Sequence, residues 1–167
     1  MEETTFRKIQ EADLPSVLDL YNHYIATTTA TFRCEPISED ALRTFIFLDH
    51  KWYKAYVIQR GGEMAGFCFA TQLKNHASYD RTAELGVYLK PEYTRRGLGG
   101  EAVRHMEKAA TADGLKMLIA SICGENAASL KLFEKLGYDR CGHFKRIGEK
   151  WGRVLDVVFF QKSLEGG

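Results

Sequence analysis

The chain has 167 residues, 45% of them hydrophobic, enough for one domain with its own core and too few for two. Lys and Arg number 23 against 22 Asp and Glu, so no charge excess points to nucleic acid or an anionic membrane as partner. No apolar run approaches the roughly 20 residues of a membrane span. The N-terminus M-E-E-T-T-F-R-K has no signal-peptide core, and Cys34, Cys68, Cys123 and Cys141 lie far apart with no ligand spacing. They read as buried thiols in a reducing, cytoplasmic setting.

In chain order, Phe6 to Ile9 reads as a first strand. Asp13 can cap a helix that tolerates Pro15 in its first turn and carries Leu14, Val17, Leu18, Tyr21, Tyr24 and Ile25 on one side. That helix ends near Thr27, and the Thr-rich run to Thr31 is a poor helix former, hence a loop leading to Phe32-Arg33. Ser38 caps a second helix, with Glu39 and Asp40 in its first turn and Ala41, Leu42, Phe45 and Ile46 at helical spacing. The β-rich runs K-A-Y-V-I-Q and M-A-G-F-C-F-A-T, joined by Arg60-Gly61-Gly62-Glu63, form a hairpin because Gly-Gly adopts positive φ cheaply. Gln72 to Asp80 is polar and irregular, and a strand follows from Arg81 to Leu89.

The stretch V-Y-L-K-P-E-Y-T-R-R-G-L-G-G, Val87 to Gly100, organises the rest. Pro91 has no N–H for a sheet ladder and ends the strand. Leu98, Ala102, Val103, Met106, Ala109 and Ala110 then repeat at helical spacing, so Gly97, Gly99 and Gly100 sit where a strand enters a helix. Unpaired N–H groups and the positive end of the helix dipole face outward there. Without side chains the backbone can be approached by an anion, and Arg95 and Arg96 add charge. A plain strand-to-helix turn is the alternative. The Walker pattern is absent, since Glu101-Ala102 follows Gly100, and the dinucleotide fingerprint does not fit either.

The glycine-entered helix runs to about Asp113 and is closed by Gly114. Leu115 to Ile122 reads as a strand buried on both faces. A last helix starts at Glu125 to Ser129, turns Leu130, Leu132, Phe133 and Leu136 inward, and ends at Gly137. Tyr138 to Ile147 and Arg153 to Lys162 are the final strands, with Gly148 to Gly152 between them. This order, with hairpins and strand–helix–strand crossovers, predicts an α+β domain with a mixed sheet, spanning residues 1–164 before a frayed tail at 165–167.

Strand alternation sets Glu84, Gly86 and Tyr88 on one face, opposite Ala83, Leu85, Val87 and Leu89. A carboxylate inside an apolar strand is costly to bury, so Glu84 is either ion-paired or used in chemistry. Its place one strand-length before the anion cradle suits a base. An alkyl ammonium has a pKa of about 10, and acyl transfer to it requires that its proton be removed. An N–H from Val87 to Leu89 could serve an oxyanion if the strand splays from its neighbour. Cys123 has no adjacent His and reads as core. His23, His105, His50, His76 and His143 read as structural or loop residues, and no convergent metal-ligand spacing is found.

Thr94-Arg95-Arg96-Gly97-Leu98-Gly99 resembles the R/Q-x-x-G-x-G/A coenzyme A loop of the GNAT N-acetyltransferases, with Thr94 in place of the usual Gln or Arg. The element order also matches that fold, which is a mixed, mostly antiparallel sheet of about seven strands flanked by four helices. Within the superfamily the chain is most similar to the phosphinothricin and methionine sulfoximine acetyltransferases. The matching pieces are Tyr21-Asn22-His23-Tyr24, Phe32-Arg33 with Glu35-Pro36, Tyr79 to Glu84, Val87-Tyr88, Asn126 with Ser129, Leu136-Gly137-Tyr138, and Gly148-x-Lys150-x-Gly152 leading to Asp156.

The resemblance implies acetyl-CoA as co-substrate, Glu84 as general base for a small amino-acid-like amine, and a homodimer. Coenzyme contacts are expected at Val87, Tyr88, Leu89, Arg95, Arg96, Gly97, Leu98, Gly99, Gly100, Asn126, Ser129 and Phe133. A substrate pocket is expected near Phe32, Lys74, Tyr79 and Tyr88. Phe133 departs from the family, where Tyr or His at this position can donate a proton to the leaving thiolate; phenylalanine has none to give. Other acceptors remain open at this point: a protein N-terminus, a polyamine or an antibiotic. So does a non-catalytic acyl-CoA-binding module, although such a binder has no use for Glu84.

Overall fold

The computed structural model describes residues 2–166. Its elements in order are β1 (Thr4–Lys8), α1 (Leu14–Thr27), α2 (Glu39–Leu42), β2 (Ala55–Arg60), β3 (Glu63–Gln72), β4 (Thr82–Leu89), α3 (Leu98–Ala112), β5 (Met117–Cys123), α4 (Ala127–Lys135), β6 (Asp139–Lys150) and β7 (Arg153–Ser163). The strands form one sheet in the order β1-β2-β3-β4-β5-β7-β6. Only β4 and β5 run parallel, joined by the α3 crossover; the other neighbours are antiparallel.

Period-2 alternation along the strands feeds two cores, one on each face of the sheet. Tyr56 and Ile58 of β2, Cys68 and Ala70 of β3, and Ala83, Leu85 and Leu89 of β4 pack with Leu98, Ala102, Val103 and Met106 of α3 and Phe133 of α4. On the other face, Val57, Phe67 and Phe69 meet Leu14, Val17, Tyr21 and Ile25 of α1, with Leu42 and Ile46 beyond. In α1 the expected Leu14, Val17, Tyr21 and Ile25 are buried together with Leu20, while Leu18 and Tyr24 are half-buried; in α4 only Phe133 of the four expected residues is buried.

Several boundaries differ from the sequence reading. Asp13 does not cap α1 with its side chain; its carboxylate is held by Arg7 at 2.8 and 2.9 Å and by the Gln10 N–H at 2.7 Å. Ser38 does cap α2, accepting from the Ala41 N–H at 3.2 Å, but that helix is a single turn. Turn bonds continue past it, from the Thr44 N–H to Ala41 O at 3.1 Å and from the Ile46 N–H to Leu42 O at 3.0 Å, and the Thr44 hydroxyl also donates to Ala41 O at 2.7 Å. Strand β5 buries Leu118 and Ala120 on one face and Cys123 at its end, leaving Ile119, Ser121 and Ile122 half-buried.

The greatest difference is in the last hairpin. Strand β6 continues to Lys150, and the expected five-residue connection shrinks to Trp151-Gly152, both at positive φ (53° and 72°) as a two-residue hairpin turn requires. Its extra residues are absorbed in a bulge between Phe144 and Gly148. Asp156 anchors that bulge, accepting the Arg146 N–H at 2.7 Å and meeting His143 Nε2 at 2.8 Å. Of the four cysteines, all free thiols, Cys68 and Cys123 are buried as expected, whereas Cys34 and Cys141 are exposed, on a loop and on the outer strand.

Candidate active site

The ladder between β4 and β5 pairs Thr82, Ala83 and Glu84 with Met117, Leu118 and Ile119, and goes no further. Beyond Glu84 the two strands part. The Lys90 N–H donates to Ala65 O at 2.8 Å on the β3 side. Antiparallel alternation therefore turns the N–H groups of Leu89 and Val87 the other way, into the gap that β5 has left. The splay on which an oxyanion donor depends is thus present, and Val87 and Leu89 supply the candidate donors. The Leu89 carbonyl is separately held by the Tyr24 hydroxyl at 2.5 Å.

Two cavities meet at this gap. The first, of about 420 Å³, is lined by Val87 to Leu89, by Thr94, Arg95, Gly97, Gly99 and Gly100 at the start of α3, and by Asn126, Ser129, Leu132 and Phe133 of α4 and its cap. The second, of about 410 Å³, is lined by Thr31, Phe32 and Arg33, by Thr44, Phe45, Phe69 and Thr71, and by Glu84. Leu85, Gly86 and Tyr88 of β4 and Ser121, Ile122 and Cys123 of β5 line both. A slender thioester arm entering from the first cavity would therefore emerge beside the carboxylate that lines the second.

The first cavity fits a diphosphate on its own geometry. Helix α3 has no side-chain cap, and Gly97 at its N-cap sits at φ 84°. The first intrahelical bond runs from the Glu101 N–H to Gly97 O, so the N–H groups before it are free for an anion. Arg95 holds a left-handed conformation (φ 60°), uncommon for a side-chain-bearing residue, and lines the cavity. The glycines divide the work. A Cβ at Gly97 would meet nothing within 4 Å, whereas one at Gly99 would press Leu132 at 3.3 Å. Gly97 serves the turn, and Gly99 also serves the contact of α3 with α4.

Not every expected coenzyme contact reaches this cavity. The Arg96 guanidinium lies over the Tyr93 ring at 5.8 Å and is not on its wall, and the Leu98 side chain is fully buried in the core. Asn126 uses its side-chain oxygen to cap α4 through the Ser129 N–H at 3.3 Å, which leaves its amide NH₂ for the cavity. Phe133 is on the cavity wall, packed edge-on against Tyr138 and stacked on Phe160, so that position carries packing in place of a proton donor.

Glu84 enters no ion pair among the described residues; the nine ion pairs found there lie elsewhere. Burial pushes its carboxyl above the usual range, an effect that the Ser121 side chain partly offsets. A carboxylate with a raised pKa and no ion-pair partner is a candidate for proton transfer. Ser121, which the sequence reading passed over, lies two residues beyond Glu84's register partner Ile119 and so on the same face of the sheet. Tyr88 stands between the cavities, packed among Tyr21, Tyr24, Phe67 and Phe69, and burial keeps its phenol protonated.

Of the residues expected around a substrate, the structure brings Phe32 and Tyr88 to the wall of the second cavity and leaves Lys74 and Tyr79 off it. The latter pair follows β3, with the Lys74 ammonium 5.5 Å from the centre of the Tyr79 ring. The loop that carries Phe32 is fastened from far along the chain. Lys150, fully buried at the end of β6, donates to Thr28 O at 2.8 Å and Thr31 O at 2.9 Å. Gly148 leaves room for the Phe32 ring, which a Cβ would strike at 2.7 Å. Among the described residues no group of three His, Cys, Asp or Glu is placed to hold a metal, and no helix is long and apolar enough to cross a membrane.

The acetyltransferase (GNAT) family profile matches residues 17–138. A phosphinothricin N-acetyltransferase from Streptomyces viridochromogenes is 35% identical over 159 residues, covering 95% of this chain and 87% of that protein. An L-methionine sulfoximine/L-methionine sulfone acetyltransferase from Pseudomonas paraeruginosa is 30% identical, covering 92% and 91%. Among solved structures, the phosphinothricin acetyltransferase of Sinorhizobium meliloti in complex with AcCoA superposes with a TM-score of 0.90 at 30% identity, covering 98% of this chain and 90% of that one.

Proposed function

The chain belongs to the acetyltransferase (GNAT) family and uses acetyl-CoA, and on that premise we propose that it acetylates the α-amine of a small amino acid or amino-acid analogue, with Glu84 as general base. The observation that carries this reading is the meeting of the two cavities between β4 and β5, with a half-buried carboxylate that enters no ion pair among the described residues on the wall of the second. The names of the relatives, which act on phosphinothricin and on methionine sulfoximine or sulfone, support an acceptor of that type.

When bound, the coenzyme supplies an acyl group already activated as a thioester, so no protein nucleophile is needed. The free N–H groups of Gly97 to Gly100 and the Arg95 side chain would hold its diphosphate, and the Asn126 amide, on the same cavity wall, would be available to the arm. On the acceptor side Glu84 removes the ammonium proton, directly or through a water, and exposes the nitrogen lone pair. The N–H groups of Val87 and Leu89 point into the gap, where they can donate to an oxyanion. Ser121 steadies the ionised form of Glu84.

We include in the same proposal a homodimer, with the face around the β6–β7 turn as its contact surface, and a reducing, cytoplasmic setting in keeping with four free thiols. The whole of residues 1–164 is proposed to act as one domain. The test is thiol release from acetyl-CoA in the presence of amino acids, polyamines and an N-terminal peptide. Turnover with amino acids supports the reading; turnover confined to the peptide or polyamine replaces the acceptor. Coenzyme binding by calorimetry without thiol release from any amine would favour an acyl-CoA-binding module, the reading to which Phe133 lends weight.

A further inference from the structure

The acceptor cavity has one anionic and one cationic side chain on its wall, Glu84 and Arg33. They are not ion-paired to each other. The Arg33 side chain makes no hydrogen bond or ion pair among the described residues, while its backbone N–H donates to Thr31 Oγ1 at 3.4 Å. Its guanidinium lies 5.5 Å from the centre of the Phe45 ring, itself part of the wall. Both charges reach the hydroxyl end of Tyr88, which feels Glu84 and Arg33 in opposite senses. Arg33 is solvent-exposed, and its guanidinium has open donors beside a cavity wall whose other charge is a carboxylate, which presents the complement of an α-amino acid.

The segment around Arg33 is also fixed before any ligand arrives. Lys150 holds Thr28 and Thr31, the Phe32 ring fills the space left by Gly148, and the Asn22 amide brackets Ile37 with bonds of 3.1 and 2.9 Å to its carbonyl and N–H. Contacts of this kind reduce the ordering cost on binding. Lys74 and Tyr79, by contrast, do not line the cavity.

We propose that Arg33 is a specificity-determining residue that binds the acceptor's carboxylate and thereby turns its amine toward Glu84. This rests on the amine acetylation proposed above and adds a residue and a required anionic group to it. A bidentate guanidinium–carboxylate contact is a charge-assisted bond, so its loss is expected to raise KM about 10- to 100-fold.

The test compares L-methionine sulfone and L-glutamate with their α-carboxamides, using wild type, Arg33→Met and Arg33→Lys. Expected are a wild-type preference for the acids through KM, a selective rise in the acids' KM in Arg33→Met with kcat within about twofold, unchanged constants for the amides, and partial recovery in Arg33→Lys. Calorimetric binding of the same acids and amides to the enzyme loaded with coenzyme A gives a second readout that needs no turnover. Acids and amides affected alike by Arg33→Met, or bound alike by wild type, overturn the role of Arg33 while leaving acetylation standing. Absence of thiol release from every probe counts against the acetylation reading, and the binding comparison then decides Arg33 alone.

Discussion

Glu84 holds its proton more tightly in the folded chain than in the unfolded one, because burial disfavours its charged form. As the proposed base it must be ionised, so activity is expected to rise with pH through a range above that of an ordinary glutamate. Glu84→Gln should lower kcat by about 10²–10⁴-fold while leaving coenzyme affinity unchanged, as read by steady-state kinetics and calorimetry. Stability runs the other way. A raised carboxyl pKa means that folding is favoured below the unfolded value and loses that contribution as pH rises through the folded one. Glu84→Gln should therefore melt higher than wild type at neutral pH and lose this advantage in acid; an unchanged or lower Tm at neutral pH would return Glu84 to a structural role. Ser121 acts on the same equilibrium. Ser121→Ala is expected to move the acid limb of the pH–rate profile upward, and Ser121→Thr to restore it.

Two elements present these residues, and each depends on a backbone position that can be tested. The N-terminus of α3 offers its N–H groups because Gly97 takes a φ of 84° that a β-branched side chain strongly resists. Gly97→Val should abolish detectable acetyl-CoA binding by calorimetry with far-UV circular dichroism unchanged, since a Cβ there meets no neighbour. Retained binding would place the diphosphate elsewhere. The loop after α1 depends on β6. Burial lowers the Lys150 pKa, yet its ammonium satisfies two carbonyls that would otherwise be orphaned. Lys150→Met removes both bonds and is expected to cost about 1–3 kcal/mol in denaturant unfolding. It should also raise acceptor KM more than coenzyme Kd, because Thr31, Phe32 and Arg33 line the second cavity and not the first.

At the scale of the molecule, β6 is the outer strand of the sheet, and its hairpin with β7 exposes Phe144, Ile147, Trp151 and Val154. The proposed dimer would cover these side chains. Sedimentation should give a dimer for wild type and a monomer for Trp151→Glu, whereas a wild-type monomer at micromolar concentration would remove the dimer from the proposal. The element order, the core faces of α1 and α3 and the glycine turn that opens α3 were legible in the chain itself. Period-2 and period-3.6 patterns are local, and Val87 to Gly100 passes from strand through turn to helix without interruption. Glu84 could be singled out for the same reason, as one carboxylate in an apolar strand. What local pattern does not carry is where the β4–β5 ladder stops, since that depends on two strands separated by a whole helix. Nor does it reveal that a lysine at position 150 holds the loop at 28–31, or that Arg33 and not Lys74 lines the second cavity. The sequence alone determined the parts and the chemistry they are capable of, because those follow from neighbours along the chain. Only the tertiary structure decided which parts share a cavity, because the splay, the fastening of the loop and the pairing of charges are set by contacts between residues distant in sequence.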